Sequence, residues 1–562
     1  MHRWIPGLSR WLLIIFFGQN IIVKAQNHFT DVTTSAGIDH FFVPYQGTFG
    51  GGVAVIDYNS DGYEDLFIAG GEGHNSFYRN NGDGTFTDII HTAGFQELDT
   101  MVTQGVVSAD VNKDGKTDLF ITTIYSSNGG AQLRAPDMLY INNGDETFTN
   151  RTREYGLMKA HKFSTGAVFG DVNLDGYPDL FVGVFFENFS GRLDQYTGLV
   201  SSTSPPAWDL LYINKEGKYF EEMSYEYGLH YVGLGFGGVF TDYDNDRDLD
   251  LLVINDFGYK FTPNKLFRNE YPKEKFTDVS EQMDMDFGMS AMGVAIGDYN
   301  NDGWLDYFFS NILDAPFVIN QGSDQPFLNI SKEIGASISF LMNQDGRPVN
   351  SITWGINFFD SDNDTDLDLF ITGGSLNPDE KPIPNVLLIN DHLKFNKGDF
   401  KVGLSDTSIG RGSVTFDYDN DGDYDLFIVN QSSISSNNFG YENLSSRLYR
   451  NDISGNNWLK VKLKGNRSDS EGIGSRIEVY AKNVSMIREI EGGSSHESQN
   501  SKIAHFGMGD NLLADSVIVK WMGGNTQKMY NIVVNQMIEM REPFEFSFWQ
   551  KLKLMFGLLP LL

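Results

Sequence analysis

One acidic pattern of nine residues recurs seven times in this chain and constrains its fold more than any other feature. Carboxylate or amide side chains occupy positions 1, 3, 5 and 9 of each copy, as in Asp57-Tyr-Asn59-Ser-Asp61-Gly-Tyr-Glu-Asp65. The copies begin at Asp57, Asp110, Asp171, Asp242, Asp298, Asp360 and Asp417, at spacings of 53 to 71 residues. Such a period predicts an array of similar structural units rather than a series of unrelated domains.

Each unit has the same short apolar runs around its acidic loop. A glycine-rich run precedes the loop, and a run such as Leu66-Phe67-Ile68 follows it. Two further runs resemble Leu139-Tyr140-Ile141-Asn142 and Phe86-Thr87-Asp88-Ile89. Short runs of this kind, separated by Gly, Asn and Asp and lacking a helical period, predict four-stranded antiparallel blades.

The two ends of the array complement each other. Phe29-Thr30-Asp31-Val32 repeats the fourth-strand motif with no blade before it, whereas the last blade ends at Leu448-Tyr449-Arg450-Asn451 and lacks that strand. A strand exchanged between the ends would remove the open sheet edges. The predicted fold is therefore all-β: a seven-bladed β-propeller closed by an N-terminal strand, followed by a small β-sandwich-like domain.

The acidic loops have the composition of calcium sites. Oxygen ligands at positions 1, 3, 5 and 9, with the carbonyl of position 7, suit calcium, which accepts six to eight oxygens. An EF-hand is excluded because position 12 is apolar, as at Ile68, Ile121 and Val182. The loops contain 28 carboxylates and three basic residues, and thus 25 of the 33 net negative charges. Carboxylates this close together repel one another unless a cation lies between them. A calcium site is therefore favoured over a solvated turn.

The sequence predicts about seven calcium sites. Their predicted ligands are Asp57, Asn59, Asp61, Tyr63 and Asp65; Asp110, Asn112, Asp114, Lys116 and Asp118; Asp171, Asn173, Asp175, Tyr177 and Asp179; Asp242, Asp244, Asp246, Asp248 and Asp250; Asp298, Asn300, Asp302, Trp304 and Asp306; Asp360, Asp362, Asp364, Asp366 and Asp368; and Asp417, Asp419, Asp421, Asp423 and Asp425. Position 6 is glycine in five loops but Arg247 and Thr365 in the others. If the turn needs a positive φ there, these two sites are expected to be weaker.

Composition and the chain ends indicate an exported protein. Residues 1–25 have the basic start, short apolar run and small-residue site of a signal peptide, which predicts a secreted or cell-surface location. The absence of cysteine excludes disulfides and thiolate metal sites. A net charge of -33 argues against nucleic acid as a partner. The propeller is assigned to residues 26–455, the second domain to 456–542, and an apolar tail to 543–562, which could contact a membrane surface peripherally or pack on the domain.

The loops and their flanks resemble the FG-GAP or VCBS-repeat propellers, the architecture of integrin α-subunit heads. In that family the loops bind calcium on one face and partner-binding loops lie on the opposite face. Residues 458–542 resemble the ASPIC/UnbV domain, through Gly472-Ile-Gly474-Ser-Arg476, Ser498-Gln-Asn-Ser501, His505-Phe-Gly-Met-Gly509 and Asp515-Ser-Val-Ile-Val-Lys-Trp521. The combination is similar to the cartilage acidic protein family. The resemblance implies no established enzymatic activity.

Three functions remain open from the sequence. The first is an extracellular binding or adhesion module for a protein or polysaccharide, and we found no catalytic constellation that would argue against it. The second is a calcium-dependent polysaccharide-active enzyme, such as a lyase, and the third is a scaffold for a larger complex. The longer connections Phe185–Trp208 and Gly373–Asn385, with Phe186, Phe189, Arg192, Tyr196 and Trp208, are the preferred ligand loops. His505 is interpreted as a packed turn residue because no nucleophile or second histidine lies near it in sequence.

Overall fold

The computed structural model describes most of the chain between residues 29 and 544. The described segments are 29–45, 49–126, 133–159, 162–187, 193–194, 199–200, 205–322, 325–342, 348–375, 383–397, 402–404, 406, 408–434, 441–442 and 445–544. The predicted signal peptide, the tail beyond residue 544, Phe189, Arg192, Tyr196 and most of both predicted ligand loops lie outside them. Within these segments, no helix has the length and apolar character needed to cross a membrane.

The repeat region is built almost entirely of short strands. They are β1 (Phe29–Asp31), β2 (Val53–Ile56), β3 (Asp65–Ile68), β4 (Ser76–Asn80), β5 (Phe86–Asp88), β6 (Met101–Ala109), β7 (Asp118–Ser126), β8 (Leu133–Arg134), β9 (Met138–Asn142), β10 (Phe148–Asn150), β11 (Phe163–Gly170), β12 (Asp179–Phe186), β13 (Leu193–Asp194), β14 (Leu199–Val200), β15 (Leu210–Asn214), β16 (Phe220–Glu222), β17 (Gly235–Thr241), β18 (Asp250–Asn255), β19 (Lys265–Asn269), β20 (Phe276–Asp278), β21 (Val294–Gly297), β22 (Asp306–Phe309), β23 (Phe317–Ile319), β24 (Leu328–Asn329), β25 (Phe340–Met342), β26 (Pro348–Asn350), β27 (Thr353–Phe359), β28 (Asp368–Gly373), β29 (Val386–Asn390), β30 (Phe395–Lys397), β31 (Ile409–Phe416), β32 (Asp425–Gln431), β33 (Ser433–Ile434), β34 (Tyr441–Glu442) and β35 (Arg447–Asn451). Short 3-10 segments occupy Gln96–Thr100 and Leu157–Lys159.

Seven sheets of the described repeat region share one antiparallel plan of four strands. Their orders are β2-β3-β4-β5, β6-β7-β9-β10, β11-β12-β15-β16, β17-β18-β19-β20, β21-β22-β23-β24, β27-β28-β29-β30 and β31-β32-β35-β1. Strand β8 adds to β7, and β13-β14, β25-β26 and β33-β34 form separate hairpins. The prediction of an all-β chain made of four-stranded antiparallel sheets is confirmed.

Burial decreases from the first strand of each sheet to the fourth. All four residues of β2 are buried, whereas in β5 only Phe86 is buried and Thr87 and Asp88 are exposed. First strands of successive sheets pack against each other in six of the seven cases, including β2 against both β6 and β31. Because both faces of these strands are covered, nearly all of their residues are buried, and they do not alternate between buried and exposed positions.

The N-terminal strand belongs to the last sheet. In β1, Phe29 lies opposite Asn451, Thr30 opposite Arg450 and Asp31 opposite Tyr449, all in antiparallel register with β35. The first and last strands of the repeat region are therefore hydrogen-bonded to each other, although more than 400 residues separate them in sequence.

One asparagine in each sheet links that sheet to the sheet that precedes it in sequence. In the first sheet, the corresponding asparagine links to the last sheet. The side-chain amide at the end of each third strand donates to the carbonyl at position 2 of the neighbouring acidic loop. The pairs are Asn80 to Tyr418 (2.7 Å), Asn142 to Tyr58 (2.8 Å), Asn214 to Val111 (2.9 Å), Asn269 to Val172 (2.8 Å), Asn320 to Tyr243 (2.7 Å), Asn390 to Tyr299 (3.3 Å) and Asn451 to Ser361 (2.9 Å). The repeated Leu-Tyr-x-Asn motif is thus a connector between sheets.

The C-terminal domain has two sheets of its own. Its strands are β36 (Asn457–Lys464), β37 (Arg476–Ala481), β38 (Val484–Glu489), β39 (Ala504–Gly509), β40 (Leu513–Lys520), β41 (Thr526–Val533) and β42 (Gln536–Arg541). One sheet has the order β39-β36-β42, with β36 and β42 parallel, and the other has the order β38-β37-β40-β41. Side chains of both sheets, such as Val461, Phe506, Val479 and Trp521, share one core, and this core continues into Val107 and Phe169 of the repeat region.

Candidate metal sites

The aspartate at position 9 holds each acidic loop in shape. One of its carboxylate oxygens accepts the backbone N–H of the third-strand asparagine at 2.8–2.9 Å, and the other accepts the N–H of position 2 at 3.0–3.3 Å. Both bonds occur in all seven loops, on Asp65, Asp118, Asp179, Asp250, Asp306, Asp368 and Asp425. Burial raises the pKa of each of these carboxyls well above its ordinary value.

The aspartate at position 1 closes the turn of the loop. In five loops its two oxygens accept the backbone N–H groups of positions 5 and 6 at 2.7–3.1 Å, on Asp110, Asp171, Asp298, Asp360 and Asp417. The carboxylate at position 5 then accepts the N–H of position 7 in every loop. This network points the side chains of positions 1, 3 and 5 toward the inside of one turn.

Position 6 requires a left-handed backbone in every loop, as the sequence suggested. Its φ is between +75° and +101° in all seven loops, and Arg247 (+75°) and Thr365 (+91°) adopt it although they carry a Cβ. Both side chains lie against the C-terminal domain. Arg247 Nη1 donates to the Gly524 carbonyl at 3.2 Å, and Thr365 Cγ2 lies close to Gly509.

Three loops bring carboxylates together most closely. Oxygens of three aspartates lie within 4.8 Å of one another in the groups Asp242, Asp244 and Asp246; Asp360, Asp362 and Asp364; and Asp417, Asp419 and Asp425. These include the fourth and sixth loops, so the non-glycine residues at position 6 do not prevent convergence. Whether these two sites bind more weakly stays a prediction.

The electrostatics of the loops fit a hard cation. Buried carboxylate oxygens without a hydrogen-bond partner remain on Asp57, Asp242, Asp248 and Asp419. Burial, and then the neighbouring aspartates, raise the pKa of Asp248 to about 8 and that of Asp362 to about 7. A divalent cation would satisfy the free oxygens and reduce the repulsion between carboxylates. The position 5 carboxylate is exposed in all seven loops, which leaves each loop open to solvent on that side.

Four of the loops are linked directly to the next loop. In these four loops the asparagine at position 4 reaches the next loop: Asn245 donates to Gly303, Asn301 to Thr365, Asn363 to Asp423 and Asn420 to Gly62. A change in one loop can therefore affect its neighbour through a hydrogen bond.

The C-terminal domain covers the same loops, which the sequence did not predict. The Lys460 ammonium contacts the Asp417 carboxylate in a buried ion pair, and Lys462 Nζ lies 3.2 Å from Asp57. Arg476 Nη2 donates to the Asp242 carbonyl at 2.9 Å, and the Ser470 hydroxyl donates to Asp110 at 2.7 Å. Each contact is made to position 1 of a loop. The only sequence signal for this role is the lysine at every second position of β36, which marks one basic strand face.

His505 and Trp458 pack on the seventh loop. His505 Nε2 lies 2.9 Å from the Gly422 carbonyl, its ring stacks on Tyr424, and burial lowers its pKa to about 3. A Cβ on Gly422 would lie 1.8 Å from the Trp458 indole, so only glycine fits there. The structure agrees with the interpretation of His505 as a packed residue, although it lies in a strand and not in a turn.

Residues 492–501 of the C-terminal domain, which we call the inserted segment, lie between the first strands of the sheets. The Gln499 side chain accepts the Ser108 N–H at 2.6 Å and donates to the Ser108 carbonyl at 3.1 Å. The Ser495 N–H donates to Val294, and His496 contacts the carbonyls of Met292 and Gly50.

Glycines of the first strands make room for the inserted segment. A Cβ on Gly52 would lie 2.0 Å from the Glu497 carbonyl oxygen, and one on Gly293 would lie 2.6 Å from that of Ser495. The glycine-rich runs before the acidic loops therefore have a packing role.

One predicted recognition residue is buried instead of exposed. Phe186, which the sequence placed in a ligand loop, is only 2 % exposed and packs edge-on against Phe163 and Phe185. It ends strand β12, whose eight residues are all buried, so the apolar run of that strand continues to Phe186. Trp208 is 44 % exposed and remains available for contacts.

Comparisons with known families agree with this architecture. The model of the FG-GAP-like repeat matches residues 57–121, 110–182 and 242–309, and the model named ASPIC and UnbV matches residues 465–545. The chain is thus an all-β protein with FG-GAP-like repeats followed by an ASPIC and UnbV domain, as the sequence motifs predicted.

Its curated relatives include the cartilage acidic proteins. Cartilage acidic protein 1 of Homo sapiens is 29 % identical over 40 % of this chain and 30 % of its own length. The protein of the same name from Xenopus tropicalis is 22 % identical over 88 % of this chain and 74 % of its own length. The chain therefore aligns with less than a third of the human protein.

Several solved structures show a distant likeness. An Agrocybe aegerita lectin that recognises non-reducing terminal N-acetylglucosamine is 13 % identical, covers 71 % of this chain and 93 % of its own, and has a TM-score of 0.37. A rhamnogalacturonan lyase of Bacillus licheniformis is 11 % identical, covers 76 % of each chain and has a TM-score of 0.36. At these scores the likeness supports no conclusion about function.

Proposed function

We propose that this protein is an exported, calcium-stabilised, seven-bladed propeller that acts as an extracellular binding or adhesion module for a protein or polysaccharide. The observation that carries the proposal is the common hydrogen-bond frame of the seven acidic loops, with buried carboxylate oxygens left free in several of them. No described group of residues favours a catalytic function.

The closed ring is supported by contacts between the first and last sheets. Strand β1 pairs with β35, and Asn80 of the first sheet donates to Tyr418 of the last. Deleting Phe29–Ile38 should expose the edge of β35 and cause aggregation. Size-exclusion chromatography and melting curves provide the test, and a deletion variant with unchanged solubility and Tm would contradict closure.

Calcium is the proposed ligand of the loops. Positions 1, 3, 5 and 9 and the position 7 carbonyl would hold it, and the bound ion would neutralise the converging carboxylates. Affinities of about 0.1 to 1 mM per site are typical of extracellular modules. Plasma mass spectrometry after equilibration in millimolar calcium should find roughly one ion per loop, and fewer than about three per chain would contradict the proposal. Asp421→Ala should reduce the stoichiometry by one.

Exposed aromatic residues on a surface that the C-terminal domain leaves free support the binding role. The side chains of Trp208, Tyr259 and Phe261 are 44–67 % exposed and belong to connections between the second and third strands, at the ends of the sheets away from the acidic loops. Exposed aromatic residues are common in sites for proteins and sugars. A glycan array and a pull-down with the calcium-loaded mature protein test the role, and no ligand in either assay would contradict it.

Export is proposed from the predicted signal peptide and from the relationship to cartilage acidic proteins. Expression with the native N-terminus in a secreting host should yield extracellular protein that begins at Gln26. N-terminal sequencing checks the cleavage site, and retention of residues 1–25 on a membrane-bound product would contradict secretion.

A further inference from the structure

A groove of about 760 Å³ lies where the third and fourth acidic loops meet the C-terminal domain. Tyr177 and Asp175 of the third loop, Asp246 of the fourth, Tyr271 and the domain residue Arg467 line it. Its volume is in the range of ligand-binding clefts, about 300 to 1,000 Å³. Tyr271 and Arg467 take no part in the hydrogen-bond frame of the loops, and both residues are exposed.

The walls of the groove are fixed in place by direct contacts. Lys113 Nζ donates to the carbonyls of Asn466, Arg467 and Ser468 at 3.1–3.3 Å and lies 5.2 Å from the centre of the Tyr177 ring. On the other side, Arg247 Nη1 donates to Gly524 at 3.2 Å. The loops and the domain therefore form one preorganised surface, which lowers the cost of binding a ligand there.

The charge of the groove depends on the loops. Three carboxylates, of Asp175, Asp246 and Asp248, face three cationic side chains, those of Lys113, Arg247 and Arg467. One divalent cation in each of the third and fourth loops would cancel four of the eight carboxylate charges of these loops and so lower the repulsion of an anionic ligand at the groove. Arg467 is exposed and its guanidinium can pair with carboxylate or sulfate in a bidentate manner.

We propose that this groove binds a segment of an acidic polysaccharide when the adjacent loops are loaded with calcium. This proposal rests on the binding function proposed above. Arg467 would hold an anionic substituent, uronate carboxylate or sulfate, and the faces of Tyr177 and Tyr271 would contact sugar rings. Tyr271 is 46 % exposed and thus accessible to a ligand.

A polysaccharide fits the groove better than a protein partner does. Protein interfaces concentrate binding energy in apolar, fully desolvated pockets. Here the lining is mostly charged and polar, with Leu174 and Met522 as its aliphatic side chains. A charged chain with hydroxyl groups can satisfy such a lining without burying unpaired charges.

The test compares oligogalacturonate, a heparin oligosaccharide and neutral dextran by isothermal titration calorimetry of the full calcium-loaded protein. One of the two acidic probes should bind and dextran should not. Arg467→Ala and Tyr271→Ala should each weaken that binding roughly tenfold or more. Arg541→Ala and Tyr530→Ala, which change exposed residues of the C-terminal domain outside the groove, should leave the Kd unchanged.

Two matched loop variants separate local from global effects of calcium. Asp175→Ala and Asp61→Ala both remove a position 5 carboxylate and one site, but only Asp175 lines the groove. Only Asp175→Ala should abolish binding of the acidic probe, while both variants lower the Tm similarly. Binding that survives Arg467→Ala, Tyr271→Ala and Asp175→Ala would overturn the groove assignment and leave the proposed function intact. If neither acidic glycan binds but a specific protein partner does, the assignment of an acidic polysaccharide as the ligand is wrong. If no ligand of any kind binds, the proposed function itself is wrong.

Discussion

The repeat region and the C-terminal domain use charge in opposite ways. Residues 456–542 contain 11 basic and 10 acidic residues, so the rest of the chain carries the whole negative excess. The acidic residues of the repeat region converge in loops where their mutual repulsion is unfavourable. The domain places Lys460, Lys462 and Arg476 on position 1 of three of those loops.

This difference leads to the hypothesis that two kinds of cation stabilise one set of carboxylates: the basic side chains of the domain and the calcium ions proposed above. Position 1 aspartates are buried against the domain in six loops, whereas position 5 aspartates are exposed in all seven. Metal ions can reach the loops from the solvent side while ammonium and guanidinium groups approach from the domain side. The repeat region thus depends on its C-terminal domain for electrostatic as well as apolar contacts.

The largest expected effect is that of removing the metal. Chelation should lower the Tm substantially, because a site held at about 100 times its Kd contributes about 2.7 kcal/mol and several such sites act together. Monovalent salt should restore stability only in part, by screening the carboxylates. Differential scanning calorimetry with and without chelator checks this. Coincident curves would show that the basic side chains of the domain, without metal, are enough to offset the charge of the loop carboxylates.

The next effect distinguishes a buried ion pair from an exposed one. Lys460→Met leaves the buried Asp417 carboxylate without its ammonium and should cost about 3–5 kcal/mol. Lys462→Met removes a more exposed pair and should cost less than about 1 kcal/mol. Urea unfolding measures both variants. If calcium in the seventh loop shares the neutralisation of Asp417, the cost of Lys460→Met will be greater in chelator, and equal costs would argue against two kinds of cation.

A smaller effect concerns the inserted segment. Gln499→Ala removes both side-chain bonds to the buried Ser108 backbone and should cost about 1–3 kcal/mol. Gln536→Ala, at an exposed position of β42, serves as the control and should change stability by less than about 0.5 kcal/mol. Similar free energies of unfolding for the two variants would mean that the segment contributes little to stability.

The smallest effect is a pH dependence of the calcium contribution. The folded pKa values of Asp248, about 8, and Asp362 and Asp423, about 7, lie above the unfolded value of about 3.9. Without metal, the stability that these three carboxyls contribute is therefore fully present below about pH 4 and is lost as the pH rises through about 7 to 8. Since calcium binds the ionised carboxylates, the Tm difference between calcium and chelator should increase from pH 5 to pH 8. A difference that is constant over this range would contradict the assignment of these groups to metal sites.

Much of the repeat region could be predicted because its constraints are local and repeated. Spacing alone located the seven loops, and the short apolar runs located the strands around them. The match between Phe29–Val32 and the missing last strand predicted a pairing that the structure contains. Phe186 was misplaced because an apolar residue at the end of a buried strand and one at the start of a ligand loop look the same in sequence.

The sequence by itself determined the repeat, the oxygen-rich loops and the need for a positive φ at position 6, since each follows from residue type and spacing within a few residues. Only the tertiary structure decided that Lys460 meets Asp417, that residues 492–501 fill the space between the first strands, and that Arg467 shares a groove with Tyr271. The residues in these contacts are far apart in sequence: 43 positions separate Lys460 from Asp417, and 391 separate Gln499 from Ser108. They depend on the docking of two folded units, and a basic or glutamine side chain carries no local signal of the partner it will meet.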